Sequence, residues 1–212
     1  MKQRKTLTRA ALTLAFLSVS VAEAATYTFD FSGGNGSIGN TATFTDTTGT
    51  VSVDASGWTR SRSTNDQVSL GQWEPGLGVQ FSGDNSHTVD NSGPDDFVLF
   101  DFGSLDVTVE TITLARYGDA DISYSSGSVW DGNLTHQNNR GGSGGSELTI
   151  ALSSLAPDSL WRFFAKIGDR DDSFKISGMT VSAVPLPAAA WLFGSAVLGF
   201  VGIGYRQRSH AS

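Results

Sequence analysis

The chain has no cysteine, so disulfides, thiol catalysis and cysteine-ligated metals are all excluded. Its only histidines are His87, His136 and His210, too few and too scattered for a multi-histidine zinc centre. Glutamate is scarce between Ala25 and Ala183, where Glu74, Glu110 and Glu147 are the only ones. Basic residues are scarce there too. Eight Lys and Arg face twenty Asp and Glu, a net charge of −12 over that stretch. Such a surface repels nucleic acid and anionic polymers and attracts cations, so nucleic acid is not expected as a partner. The same stretch shows no sustained helical period, which argues against an α/β enzyme.

The two ends of the chain carry the long apolar runs. Residues 1–24 have a basic start (Lys2, Arg4, Lys5, Arg9), an apolar run from Ala10 to Val21, and the small-x-small triplet Ala22-Glu23-Ala24. That order predicts a secretory signal peptide cut by signal peptidase after Ala24. At the other end, residues 184–212 open with Val184-Pro185-Leu186-Pro187, continue uncharged from Ala188 to Tyr205, and finish on Arg206 and Arg208. As a helix, residues 188–205 would span roughly 27 Å, enough to cross a thin hydrocarbon core. The arginines would stop transfer and stay cytoplasmic, leaving the preceding residues outside.

This tail resembles the PEP-CTERM class of sorting signal, in its VPLPA-CTERM variant. The likeness rests on Val184, Pro185, Leu186, Pro187, Ala188, Trp191, Leu192, Gly194, Ser195, Leu198, Gly199 and the arginines. Leu186 stands where the parent class has Glu. The resemblance implies export through the inner membrane of a Gram-negative bacterium and transient anchoring by the helix. It implies processing by an exosortase, and a final place at the cell surface or in the matrix of an exopolysaccharide biofilm.

Residues 25–183 read as one all-β domain. Tyr27, Phe29 and Phe31 alternate with Thr28 and Asp30, as do Val51 and Val53 with Ser52, and Leu105, Val107 and Val109 with Asp106 and Thr108. A two-residue period puts apolar side chains on one face of a sheet. Phe97 to Phe102 (FVLFDF) is nearly continuous in apolar residues and predicts a central strand covered on both faces. Ser173 to Ala183 (SFKISGMTVSA) predicts a last strand. With Gly, Ser, Asn and Asp in the intervening loops, the expected fold is an antiparallel β-sandwich, jelly-roll-like.

One interior stretch, Gly76 to Gly103, crowds Asp84, Asn85, His87, Asp90, Asn91, Asp95 and Asp96 between two apolar runs. With the turn Asp119-Ala120-Asp121, its segments GLGV, HTVDN and DDFVLFDF resemble a domain recurrent among PEP-CTERM-tagged surface proteins, which implies a location and no chemistry. Asp84, Asp90, Asn91 and Asp95 offer hard oxygen ligands of the kind Ca²⁺ takes. The same residues also serve turn geometry, and Asn91-Ser92-Gly93-Pro94 is a turn by composition. Asp169-Arg170-Asp171-Asp172-Ser173 opens like an EF-hand loop and lacks its later Gly and Glu. His87 has no second histidine near it in sequence and reads as structural. Gly141 to Gly145 fits Gly-x-Ser-x-Gly only formally, in a loop without the strand and helix that motif needs.

Among the aromatics, Trp58, Trp73 and Trp130 lie in polar or Gly-flanked stretches, and Trp161 lies in an apolar strand. Trp73 and Trp130 are the candidates for stacking against sugar rings. Two readings stand. One is a non-enzymatic structural or adhesive surface protein, with no catalytic residues and Ca²⁺ as its one candidate cofactor. The other is a carbohydrate-binding module or weak glycan hydrolase acting on exopolysaccharide.

Overall fold

Alternation of apolar and polar residues, with Gly and Asp between, sets the strands. The computed structural model describes residues 24–61, 64–82, 86–116, 118–128, 134–138, 146–152 and 155–183. Among them are fourteen strands and no helix. They are β1 Thr26–Asp30, β2 Asn35–Gly39, β3 Thr41–Thr45, β4 Ser52–Ser61, β5 Thr64–Trp73, β6 Gly76–Gln80 and β7 Val89–Asp90. Then come β8 Asp95–Asp101, β9 Val107–Arg116, β10 Ile122–Ser126, β11 Thr135–Gln137, β12 Glu147–Ala151, β13 Leu160–Ala165 and β14 Ser173–Ala183. The features expected within residues 1–23 and 184–212, including Ala22, the Val184–Pro187 motif, the membrane span and Arg206 and Arg208, lie outside the described residues.

Every strand pairing is antiparallel, and the strands form one sheet curled back on itself. One layer is built on β14. It pairs β9 along its length on one edge, and on the other it meets β7, β6 and β1 in turn. The order then runs from β9 to β12, and from β6 to β5 and β2. The second layer runs β4, β8, β13, β10, β11, with β3 beside the first half of β4.

The layers are joined by β5. Its residues Thr64 to Val68 pair with β4, and Ser69 to Trp73 pair with β6. Gly57 permits this crossing, since a Cβ there would lie 3.0 Å from the carbonyl oxygen of Ser69. The two ends of the curl approach one another as well, for Gln137 Nε2 of β11 donates to the Ala151 carbonyl of β12 at 3.3 Å.

Both layers turn their apolar faces inward, giving a sandwich-like core. Phe31 of the first layer stacks on Phe100 of the second with ring centroids 5.2 Å apart, and Phe29 meets Phe102 edge-on at 5.9 Å. Leu70, Leu77, Val98, Ile112, Leu114, Trp161, Phe163 and Val181 are fully buried around them. β8 lies between β4 and β13, and its outward-facing Phe97 is as buried as its inward-facing Val98. The expected central strand is therefore present, but its outer side is covered only at Phe97, stacked between Trp58 and Phe164, while Leu99 is half-buried and Asp101 exposed.

Candidate functional site

The sequence pointed to the loop around Asp90, and the fold commits that loop to turns. Asp90 is buried; its carboxylate accepts from the hydroxyl of Ser86, from Thr88 Oγ1 at 3.0 Å and from the Ser92 N–H at 2.9 Å. Asn91 is equally committed. Its amide donates to Asp172 Oδ2 at 2.7 Å and to the Lys166 carbonyl at 3.1 Å, and its oxygen accepts the Asp172 N–H at 3.2 Å. Asp95 begins β8 opposite Arg60 of β4. Burial pushes its carboxyl above the usual range, against the pull of the Arg60 charge. Asp84 lies outside the described residues. Local turn bonds account for Asp90, bonds to Asp172 and Lys166 account for Asn91, and neither Asp90 nor Asp95 belongs to a group of three metal-competent side chains among the described residues.

The carboxylates that do come together are those of Asp119, Asp121 and Asp172, with Asp169 and Asp171 forming a second group around the shared Asp172. In each group one oxygen per residue lies within 4.8 Å of the others. The clustering arises because the Asp119-Ala120-Asp121 turn bridges in parallel to Asp172, just before β14. Asp172 is buried; its oxygens accept the Asp121 N–H at 2.9 Å and the Asn91 amide. Lys166 supplies a cation, its Nζ 3.1 Å from Asp121 and 3.2 Å from Asp169. Hydrogen bonds to those two carboxylates raise the Lys166 ammonium above its usual range. Burial pushes the Asp172 carboxyl up to about 6, and the nearby Asp121 and Asp169 charges add to the effect.

A second organised carboxylate, Asp46, had no place in the sequence argument. It closes the turn between β3 and β4. Oδ1 accepts the Thr50 and Val51 N–H groups at 2.7 Å, and Oδ2 accepts the Thr48 N–H and hydroxyl. Burial raises its pKa, but the hydrogen bonds from Thr48, Val51 and Thr50 outweigh that and hold it at about 2. An Asp followed by Thr-Thr-Gly-Thr is a turn-former by chemistry, which is the signal that could have found it.

Trp73 is half-buried and occupied within the fold. His87 stacks on its indole at 5.1 Å, and the Lys175 ammonium sits 4.1 Å from the ring centroid. Its ring lies where a side chain on Gly71 would be, since a Cβ there would come within 1.9 Å of Trp73. The backbone carbonyl of His87, which adopts a φ of 53°, passes over Gly78, where a Cβ would come within 2.1 Å of it. The indole is thus committed to protein contacts, which weakens its case as a sugar platform. Trp130 and Gly141 to Gly145 lie outside the described residues. Trp161 is fully buried, and its indole N–H donates to the carbonyls of Val107 and Asp158.

Asp172 and Asp46 bend stability in opposite directions with pH. The folded pKa of Asp172 is above its unfolded value of 3.8, so its contribution is complete below that value and is lost as pH rises through about 6. That of Asp46 is below 3.8, so its contribution is present above that value and is lost as pH falls towards 2. In chelator, Asp172→Asn is expected to flatten the decline between about pH 4 and 6, worth up to about 3 kcal/mol. Asp46→Asn is expected to remove the loss on the acid side. Thermal melting across pH 2 to 8 checks both slopes.

No family model matches the chain, and no curated protein or solved structure matches it either. What these groups do is therefore argued from their chemistry.

Proposed function

We propose that this is an exported, exosortase-sorted surface or matrix protein whose jelly-roll-like β domain serves structure or adhesion and not catalysis. The observation that carries the reading is the meeting of the domain's ends. β1 pairs with the end of β14, Thr26 opposite Ser182, and the Ala183 N–H donates to the Ala25 carbonyl at 2.8 Å. The residue expected to become the new N-terminus thus lies beside the residue preceding the sorting motif. A domain led out by a signal peptide and then held by a C-terminal helix would hang from this one edge. The start of β14, where the Asp169 to Asp172 carboxylates cluster, would lie about 33 Å further out along the strand.

The partners in this reading are signal peptidase, the inner membrane, an exosortase and the exopolysaccharide that accompanies it. The mass of the mature protein recovered from the producing cell tests the sorting. Loss of residues 1–24 together with a cut near Val184–Pro187 is expected; an intact C-terminus would mean a permanent membrane anchor instead.

Calcium belongs to this proposal as a stiffener of the outer end. Asp119, Asp121 and Asp172 are the residues whose oxygens would hold it, in place of Asp90, Asn91 and Asp95. Millimolar Ca²⁺ at pH 7.5 is expected to stabilise the full chain by about 1 to 2 kcal/mol over chelator, as for weak extracellular sites. The midpoint should not respond at pH 4.5, where Asp172 is protonated. An unchanged midpoint at pH 7.5 removes the ion from the account.

A further inference from the structure

Where β5 leaves one layer for the other, the neighbouring strands part and leave a shallow groove of about 400 Å³. It is lined by Asn40, Gln67, Val68, Ser69, Gln80, Phe81 and Ser82. That volume falls within the range of about 300–1,000 Å³ usual for small-molecule sites.

Among the described residues the lining contains no charged side chain, although residues 25–183 carry −12. Three amides and two hydroxyls converge on it. Among the described residues the side chains of Asn40, Gln80 and Ser82 make no hydrogen bond within the protein, and Gln67 uses only one N–H, donated to Thr41 Oγ1 at 3.0 Å. Phe81 is half-buried, and it is the one phenylalanine among the described residues that belongs neither to the core nor to a ring stack.

We propose that this groove binds a neutral oligosaccharide. Each amide offers donors and an acceptor together, which matches hydroxyl groups that both donate and accept. The Phe81 ring provides an apolar surface for a sugar face, as Trp73 and Trp130 were expected to do. The acidic domain disfavours anionic glycans, and none of the described lining residues offers a charge with which to hold one. Thr64 to Val68 of β5 pair with β4 alone, so an extended peptide is the competing occupant that the test must separate from a sugar. The inference is independent of the export reading, since it needs only the fold.

The test is binding of the full chain, purified in detergent, to a panel of neutral oligosaccharides, acidic oligosaccharides and extended peptides. Neutral members should bind, with Kd raised at least tenfold by Gln80→Ala and by Phe81→Ala. The exposed Asn40→Ala and Gln67→Ala variants, which leave the core untouched, should weaken the same binding, with melting curves confirming the fold. Absence of binding to every neutral member, binding that none of the four substitutions weakens, or binding confined to the acidic glycans or the peptides would each overturn the proposal.

Discussion

The fold depends on β14 having partners on both edges. Eleven residues long, it pairs β9 from Phe174 to Ala183 and accommodates two bulges on the way. Its opposite edge is filled by three separate pieces of chain: β7 at Ser173 and Phe174, β6 at Ile176, and β1 from Gly178 to Ser182. A central strand buries its backbone groups against partners and its side chains against the core, and an unpaired buried N–H would cost about 1–3 kcal/mol. The consequence is that the first and last strands of the domain complete each other. Gly178 and Gly76 make the close approaches possible: a Cβ at Gly178 would press on the Phe29 carbonyl, and one at Gly76 would overlap the Ile176 backbone.

Charge is arranged around this core by position. Acidic residues gather at strand ends and turns, where the backbone offers N–H groups, as at Asp46 and Asp90, or where a lysine can reach, as Lys166 reaches Asp121 and Asp169. Two cations are taken largely out of water. Lys175 lies against Trp73, and Arg162 donates to the Gly127 carbonyl, burial lowering the pKa of each. The corner where β5 changes layers has the opposite character, its described lining residues uncharged and rich in amides. An acidic shell and a neutral groove suit different ligands, cations in one case and polyhydroxyl molecules in the other.

Much of the fold was legible because its elements follow a local rule. The last strand was bounded at Ser173 and Ala183 by composition alone, and FVLFDF was legible as a central strand, although its outer face is buried only at Phe97. What could not be read is what long-range pairing decides. Nothing in Thr64 to Trp73 says that the strand divides between two layers, for that depends on Gly57 meeting Ser69. The Asp119-Ala120-Asp121 turn and the Asp169 to Asp172 run were each visible, yet some fifty positions separate Asp121 from Asp172, and only the strand pairing makes them neighbours. Asp90 and Asn91 looked like free oxygen ligands because sequence does not show which N–H groups and side chains will satisfy them. Asn40, Gln67 and Gln80 carried no signal at all, since isolated amides in strands have no pattern.

Native-state hydrogen exchange on the full chain tests the role of β14 most directly. If β14 is the strand that holds both ends of the domain, the amides of Met179, Val181 and Ala183 exchange only through global unfolding, with the same free energy as core amides such as Val98 and Phe163. Exchange of the Val181 and Ala183 amides through local fraying, several kcal/mol below the global value, would contradict the account.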